Sequence, residues 1–131
     1  MIGSHHILLI EDDPGIAGSL QTALIREGYT VNWRAEGQSG VAYARDHNPH
    51  LIILDLRLPD GSGFDFCREM RKLGVRQPII MLTGFLEENR ESYPYVDEVL
   101  YKPTNLAELR RSIAAALTMK RSTAQSVTNS N

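Results

Sequence analysis

Three uninterrupted apolar runs, Ile7–Ile10, Leu51–Leu54 and Ile79–Leu82, limit most tightly what this chain can fold into. Each is as short as a strand, and none alternates, so each reads as a strand covered on both faces. Between and around them, apolar residues recur at helical spacing. Ile16, Leu20, Ala23 and Leu24 mark a helix stopped by Gly28. Val41 and Ala44 mark a weaker one, broken at His47–Pro49. Phe66, Met70 and Leu73 mark a third, closed by Gly74. The charged stretch Glu87–Glu91 suggests a short fourth. Leu106, Leu109, Ile113 and Leu117 line a long amphipathic helix, with Asn105 as its cap and Glu108 three residues on.

Two further segments read as strands. In Tyr29–Trp33, Val31 and Trp33 fall on one side and Thr30 and Asn32 on the other, as in an edge strand. Val96–Tyr101 is a mixed last strand. Strand–helix alternation of this kind predicts an α/β fold: a doubly wound, five-stranded parallel sheet with helices on both faces. The three most apolar strands belong in the centre, which gives the order 2-1-3-4-5. The binding crevice of such a sheet lies beyond the carboxyl ends of its strands, where the order reverses between the first and third.

A chain of 131 residues suits one domain, and 42% hydrophobic residues suffice for a core. The net charge of −2 offers no electrostatic case for direct nucleic-acid or anionic-membrane binding. Cys67 is the single cysteine, so no intramolecular disulfide forms. No apolar run approaches the roughly 20 residues of a membrane span. Residues 1–6, MIGSHH, are too short and polar for a secretion signal and are set aside as an extension or scar. Residues 7–120 form the expected domain, and 121–131 a polar tail or linker.

Acids end two of the buried runs. Glu11 and Asp12 follow the first and Asp55 ends the third strand. Neighbouring strands lie roughly 5 Å apart, so these groups should converge at the switch point. Like charges near 4 Å repel by about 4 kcal/mol at an effective dielectric of about 20. A hard divalent cation removes that repulsion, and a few oxygens with room for water suit Mg²⁺. Taken singly, each acid reads equally well as a solvated strand end. Asp13 differs: it precedes Pro14, and Asp then Pro reads as helix cap then first helical position.

Other strand ends carry polar groups. After Asp55, the turn Leu58-Pro59-Asp60-Gly61 stiffens the loop and Gly63 opens the next helix. A carboxylate held there can act as a nucleophile and form an acyl phosphate. Thr83 ends the fourth strand, with Gly84 leaving space behind it. Lys102 ends the fifth, and a cis bond to Pro103 would aim its ammonium inward. A lone Thr or Lys in such a position is ordinarily structural or solvated. His47 and His50 have metal-like spacing, but Pro49 between them prevents a helix, so they read as surface histidines, and Cys67 reads as core.

The motifs LLIEDD, LDLRLPDGSG, MLTG and YKP, in this order, resemble the receiver domain of two-component response regulators, a flavodoxin-like fold. The resemblance spans roughly Ile7 to Leu117. It implies that Asp55 accepts a phosphoryl group from a histidine kinase or histidine phosphotransfer protein. It implies Mg²⁺ held by the side chains of Asp12 and Asp55, by Glu11 through water and by the backbone carbonyl of Arg57. Thr83 and Lys102, with Gly84 beside them, would meet the phosphoryl oxygens. It implies a cytoplasmic signalling switch, not a turnover enzyme, with an output partner unknown and a phosphorylation-dependent dimer among its expected states.

The sequence also departs from that family. Its usual switch aromatic, three positions before the Lys, is here Val99. Tyr101 shares the face of Val99 by strand alternation and stands in for the switch, or else simply covers the sheet edge. The segment between Thr83 and Lys102 is short and carries Pro94, which alters the expected output face. Arg57 and Phe85, two positions beyond Asp55 and Thr83, flank the expected path of attacking water. Three other functions compete. A haloacid dehalogenase-like phosphatase needs a second Asp where Arg57 stands. A flavin-binding protein needs a Ser/Thr/Gly-rich loop where three acids stand. A receiver-like interaction module would bind partners without phosphorylation.

Overall fold

Backbone pairing follows the apolar runs. The computed structural model describes residues 5–84 and 94–129, with side chains as far as residue 118. In chain order its elements are β1 (His6–Ile10), α1 (Pro14–Arg26), β2 (Thr30–Arg34), α2 (Gly37–His47), β3 (Leu51–Asp55), β4 (Arg57–Leu58), β5 (Gly61–Ser62), α3 (Gly63–Lys72), β6 (Ile79–Thr83), β7 (Glu98–Tyr101) and α4 (Leu106–Asn129). The main sheet is parallel, in the order β2-β1-β3-β6-β7. With the small antiparallel hairpin β4–β5 set aside, this is the expected 2-1-3-4-5 order. The three apolar runs form its three central strands, and every residue of β3 and β6 is buried.

Alternation divides those strands between two cores. Leu8, Ile10, Ile52, Leu54 and Met81 pack with Val41, Ala44, Phe66 and Met70 from α2 and α3. Ile7, Leu9, Ile53, Leu82 and Leu100 pack with Leu24, Leu109 and Ile113 from α1 and α4. The caps are as expected. Asp13 Oδ1 accepts from the N–H groups of Gly15 and Ile16 at 2.8 and 3.1 Å. Asn105 Oδ1 accepts from Glu108 N–H at 2.7 Å. A cap of this kind contributes about 1 kcal/mol.

Four details differ from expectation. First, Ile16, Leu73 and Leu106 are exposed although they fall on the apolar stripes. All three sit at helix ends, where the stripe runs past the sheet it covers. Second, β1 begins at His6, within the segment set aside as an extension. The His6 N–H donates to His50 Nδ1 at 2.8 Å, and His50 N–H donates to His6 O at 2.8 Å. Third, His47 is exposed as expected, yet it stacks on Tyr43, whose hydroxyl bonds His6 Nε2 at 2.8 Å. Burial, then the neighbouring His50 and His47, hold the His6 imidazole below its ordinary pKa. Fourth, α4 continues to Asn129, past Ser122 where a polar tail was expected. The short helix expected at Glu87–Glu91 lies outside the described residues.

Cys67 is fully buried on α3, and that burial pushes its thiol up to about 12. The reactive form is the thiolate. Iodoacetamide at pH 8 should therefore leave the native protein unmodified by mass and alkylate it once denatured. Rapid native alkylation would contradict the packing of α3.

Candidate functional site

The site is built by strand register. Ile10 pairs with Leu54 across β1 and β3, so the next residues, Glu11 and Asp55, emerge side by side. Asp55 pairs with Leu82, and Thr83 with Tyr101, so Thr83 and Lys102 follow at the ends of the adjoining strands. Period-2 alternation puts Glu11, Asp55 and Lys102 in phase with Leu9, Ile53 and Leu100, the face covered by α1 and α4. One carboxylate oxygen from each of Glu11, Asp12 and Asp55 lies within 4.8 Å of the others. Glu11 and Asp55 are buried, whereas Asp12 is exposed and opens the site to solvent.

Lys102 answers part of that charge. Its Nζ donates to Asp55 Oδ2 at 3.0 Å and to Glu11 Oε1 at 3.3 Å. Burial alone would lower the Lys102 pKa. The hydrogen bond and charge of Asp55, then those of Glu11, outweigh it and hold the ammonium above its ordinary value. The Glu11 carboxyl is held above the usual carboxylate range, first by burial and further by the Asp55 charge. The Asp13 N–H and Lys102 offset part of this. Three carboxylates against one ammonium leave two negative charges in a half-enclosed space. The donors are hard oxygens, and a divalent cation matches both their charge and their chemistry. The cluster fits a metal ion.

Backbone contacts fix these groups. Asp13 N–H donates to Glu11 Oε2 at 3.1 Å, Trp33 Nε1–H donates to Glu11 O at 2.6 Å, and Glu11 N–H pairs with Arg34 O. On the other side, Arg57 N–H reaches Asp55 Oδ1 at 3.5 Å. Gly63 N–H donates to Leu56 O at 2.6 Å. A Cβ on Gly63 would stand 2.5 Å from Asp55 O, so only glycine allows α3 to start this close. Thr83 is buried at the end of β6, its carbonyl accepting from Lys102 N–H at 2.7 Å. Among the described residues, nothing crowds the Cβ position of Gly84. The Lys102–Pro103 bond is cis.

Not every singled-out residue belongs to this cluster. Val99 and Tyr101 share a face, as alternation requires, but it is the α2–α3 side of the sheet. Arg57 is exposed on the β4–β5 hairpin, and Phe85 lies outside the described residues. Two contacts were not foreseen. Trp33 was counted only as an edge-strand residue, and Asp60 only as part of a turn, yet Asp60 caps α2 across the molecule. Both are contacts between segments far apart in the chain, which local pattern does not reveal.

Comparison with known proteins agrees with this geometry. The family model described as the response regulator receiver domain matches residues 7–114. The chain is 37% identical over 114 residues to the transcriptional regulatory protein QseB of Escherichia coli O157:H7, a match covering 85% of this chain and 52% of that protein. It is 34% identical over 124 residues to the cell cycle transcriptional regulator CtrA of Caulobacter vibrioides, covering 92% and 54%. The chain thus spans about half the length of the curated relatives it matches. Among solved structures, the receiver domain of the sensor histidine kinase PA1611 of Pseudomonas aeruginosa superposes with a TM-score of 0.81 at 33% identity, covering 88% of this chain and 98% of that one. That structure has a magnesium ion coordinated in its active site cleft. A CheY-like receiver domain protein of Methanospirillum hungatei gives 0.83 at 27% identity, covering 91% and 98%. With the sheet order, the acidic cluster and the family match in agreement, this chain belongs to the receiver domains of two-component response regulators.

Proposed function

We propose that this domain is a phosphoacceptor switch, with Asp55 taking a phosphoryl group from a phosphohistidine donor. The observation that carries the reading is the convergence of Glu11, Asp12, Asp55 and Lys102 at the switch point of the sheet. Asp12 and Asp55 would hold Mg²⁺ through their side chains, Glu11 through water, and Arg57 through its backbone carbonyl. When bound, Mg²⁺ supplies charge neutralisation and orientation for the transferring group. The Asp55 carboxylate attacks phosphorus as the phosphorus–nitrogen bond breaks, leaving an acyl phosphate and a neutral imidazole. Lys102 then pairs with a phosphoryl oxygen, the Thr83 hydroxyl donates to another, and the open space at Gly84 admits the group.

In this reading the chain is consumed and restored and does not turn over a free substrate. A histidine kinase or phosphotransfer protein supplies the group, and an output partner, or a second copy, reads the result. Tyr101, half-buried beside Val99, transmits the change in place of the usual aromatic. Phe85, two positions after Thr83 in the sequence, slows hydrolysis of the acyl phosphate. No helix among the described residues is long and apolar enough to cross a membrane, which accords with a cytoplasmic switch. The complete acidic site favours this reading over a module that binds partners without phosphorylation.

Acetyl phosphate with Mg²⁺ should add one phosphoryl group by intact mass, and Asp55→Asn should add none. Labelling that persists in Asp55→Asn would remove Asp55 from its role. Tyr101→Ala should accept phosphate normally but lose the phosphorylation-dependent change in partner affinity or self-association; unchanged coupling would assign the switch elsewhere. Phe85→Ala should shorten the lifetime of the acyl phosphate, and an unaltered lifetime would end that role.

A further inference from the structure

Helix α2 does not cap itself. Its N-cap residue, Glu36, makes no side-chain capping bond. The cap comes from Asp60 at the tip of the β4–β5 hairpin. Asp60 Oδ1 accepts from Gly37 N–H at 2.8 Å, and Oδ2 accepts from Gln38 N–H at 2.9 Å. A carboxylate at a helix N-terminus gains from both the orphan N–H donors and the helix dipole. Those N–H groups hold the Asp60 carboxyl below the usual carboxylate range, against a burial effect that would raise it.

The same turn of α2 also packs against the end of β1, the strand that leads into the other acids. Gly40 lies against Ile10, the residue before Glu11, so closely that a Cβ there would overlap the Ile10 side chain. Gly37 lies against the Phe66 ring, which also approaches Gly61 beside Asp60. The first turn of α2 therefore spans the two segments that must agree in position. One carries Glu11 and Asp12. The other runs from Asp55 through Arg57 to Asp60. The hairpin has only two residue pairs, Leu58 with Gly61 next to the tip and Arg57 with Ser62 beyond it, so a hold on Asp60 is transmitted to Arg57.

We propose that Asp60 is a positioning residue for the metal site: by capping α2 from the hairpin, it fixes the loop after Asp55 against the acidic end of β1. This rests on the reading that the cluster binds Mg²⁺. Coupling between sites is reciprocal. If the Asp60 cap raises metal affinity, bound metal must tighten the cap.

The test compares the full chain with Asp60→Ala, Asp60→Asn and Asn105→Ala by Mg²⁺ titration and thermal unfolding. Asp60→Ala should weaken Mg²⁺ binding by about tenfold, the scale of losing a group that orients metal ligands. Asp60→Asn, which keeps an acceptor oxygen, should fall between, and it carries the test if Asp60→Ala does not fold. Asn105→Ala removes the cap of α4, which packs on the opposite face of the sheet from α2. It should lower the thermal midpoint comparably yet leave Mg²⁺ affinity unchanged. In the wild type, Mg²⁺ should slow hydrogen exchange at the Gly37 and Gln38 amides, and in Asp60→Ala it should not. Wild-type affinity in the folded Asp60 variants would overturn the proposal while leaving the metal site intact. An equal loss in Asn105→Ala would overturn it as a general stability effect. A wild type that binds no Mg²⁺ would overturn both this proposal and the reading beneath it.

Discussion

Two buried carboxylates and one ammonium form the contact on which the rest of this structure depends. Glu11 and Asp55 face each other across neighbouring strands, and Lys102 reaches back from the last strand to bond both. Burying like charges this close is costly, and one lysine leaves the cluster negative. The protein tolerates the imbalance because the site is open at Asp12 and because backbone N–H groups of Asp13 and Arg57 face the acids. The cluster thus has the charge and the hard-oxygen donors that suit a divalent cation.

The sheet supplies the geometry. Parallel register fixes which residues leave adjacent strands together, and alternation fixes the face they leave on. One core ties β1, β3 and β7 to α1 and α4 beneath the acids, and the other ties the same strands to α2 and α3. Glycine marks the close approaches. Gly63 lets α3 begin against the Asp55 carbonyl, and Gly40 lets α2 settle on the residue before Glu11. A side chain at Gly63 would press on the backbone of Asp55 and Leu56, and one at Gly40 would press on the Ile10 side chain.

The sheet order and the acids were legible in the sequence because both are written locally. Ile7–Ile10 and Leu51–Leu54 are continuous apolar runs, and continuity is what a doubly covered strand requires. Each run is followed at once by its acids, so the position of Glu11, Asp12 and Asp55 at the strand ends needed no tertiary information. Asp13 before Pro14 announced its own cap. The start of β1 was not legible, because His6 is polar and earns its place through bonds to His50 and Tyr43. Asp60 was read only as a turn residue, because its partners, Gly37 and Gln38, lie in another part of the chain. The exposure of Ile16, Leu73 and Leu106 was hidden for a different reason: a hydrophobic stripe does not announce where its covering sheet ends.

The claim that a divalent cation sits among Glu11, Asp12 and Asp55 is tested most directly with Mn²⁺ as a paramagnetic stand-in for Mg²⁺. Substoichiometric Mn²⁺ should broaden the amide signals of residues 11–13 and 55–57 first, excess Mg²⁺ should restore them, and Asp55→Asn should weaken the effect. Broadening centred elsewhere, such as at the histidines beside Tyr43, or broadening that Mg²⁺ fails to reverse, would contradict the account.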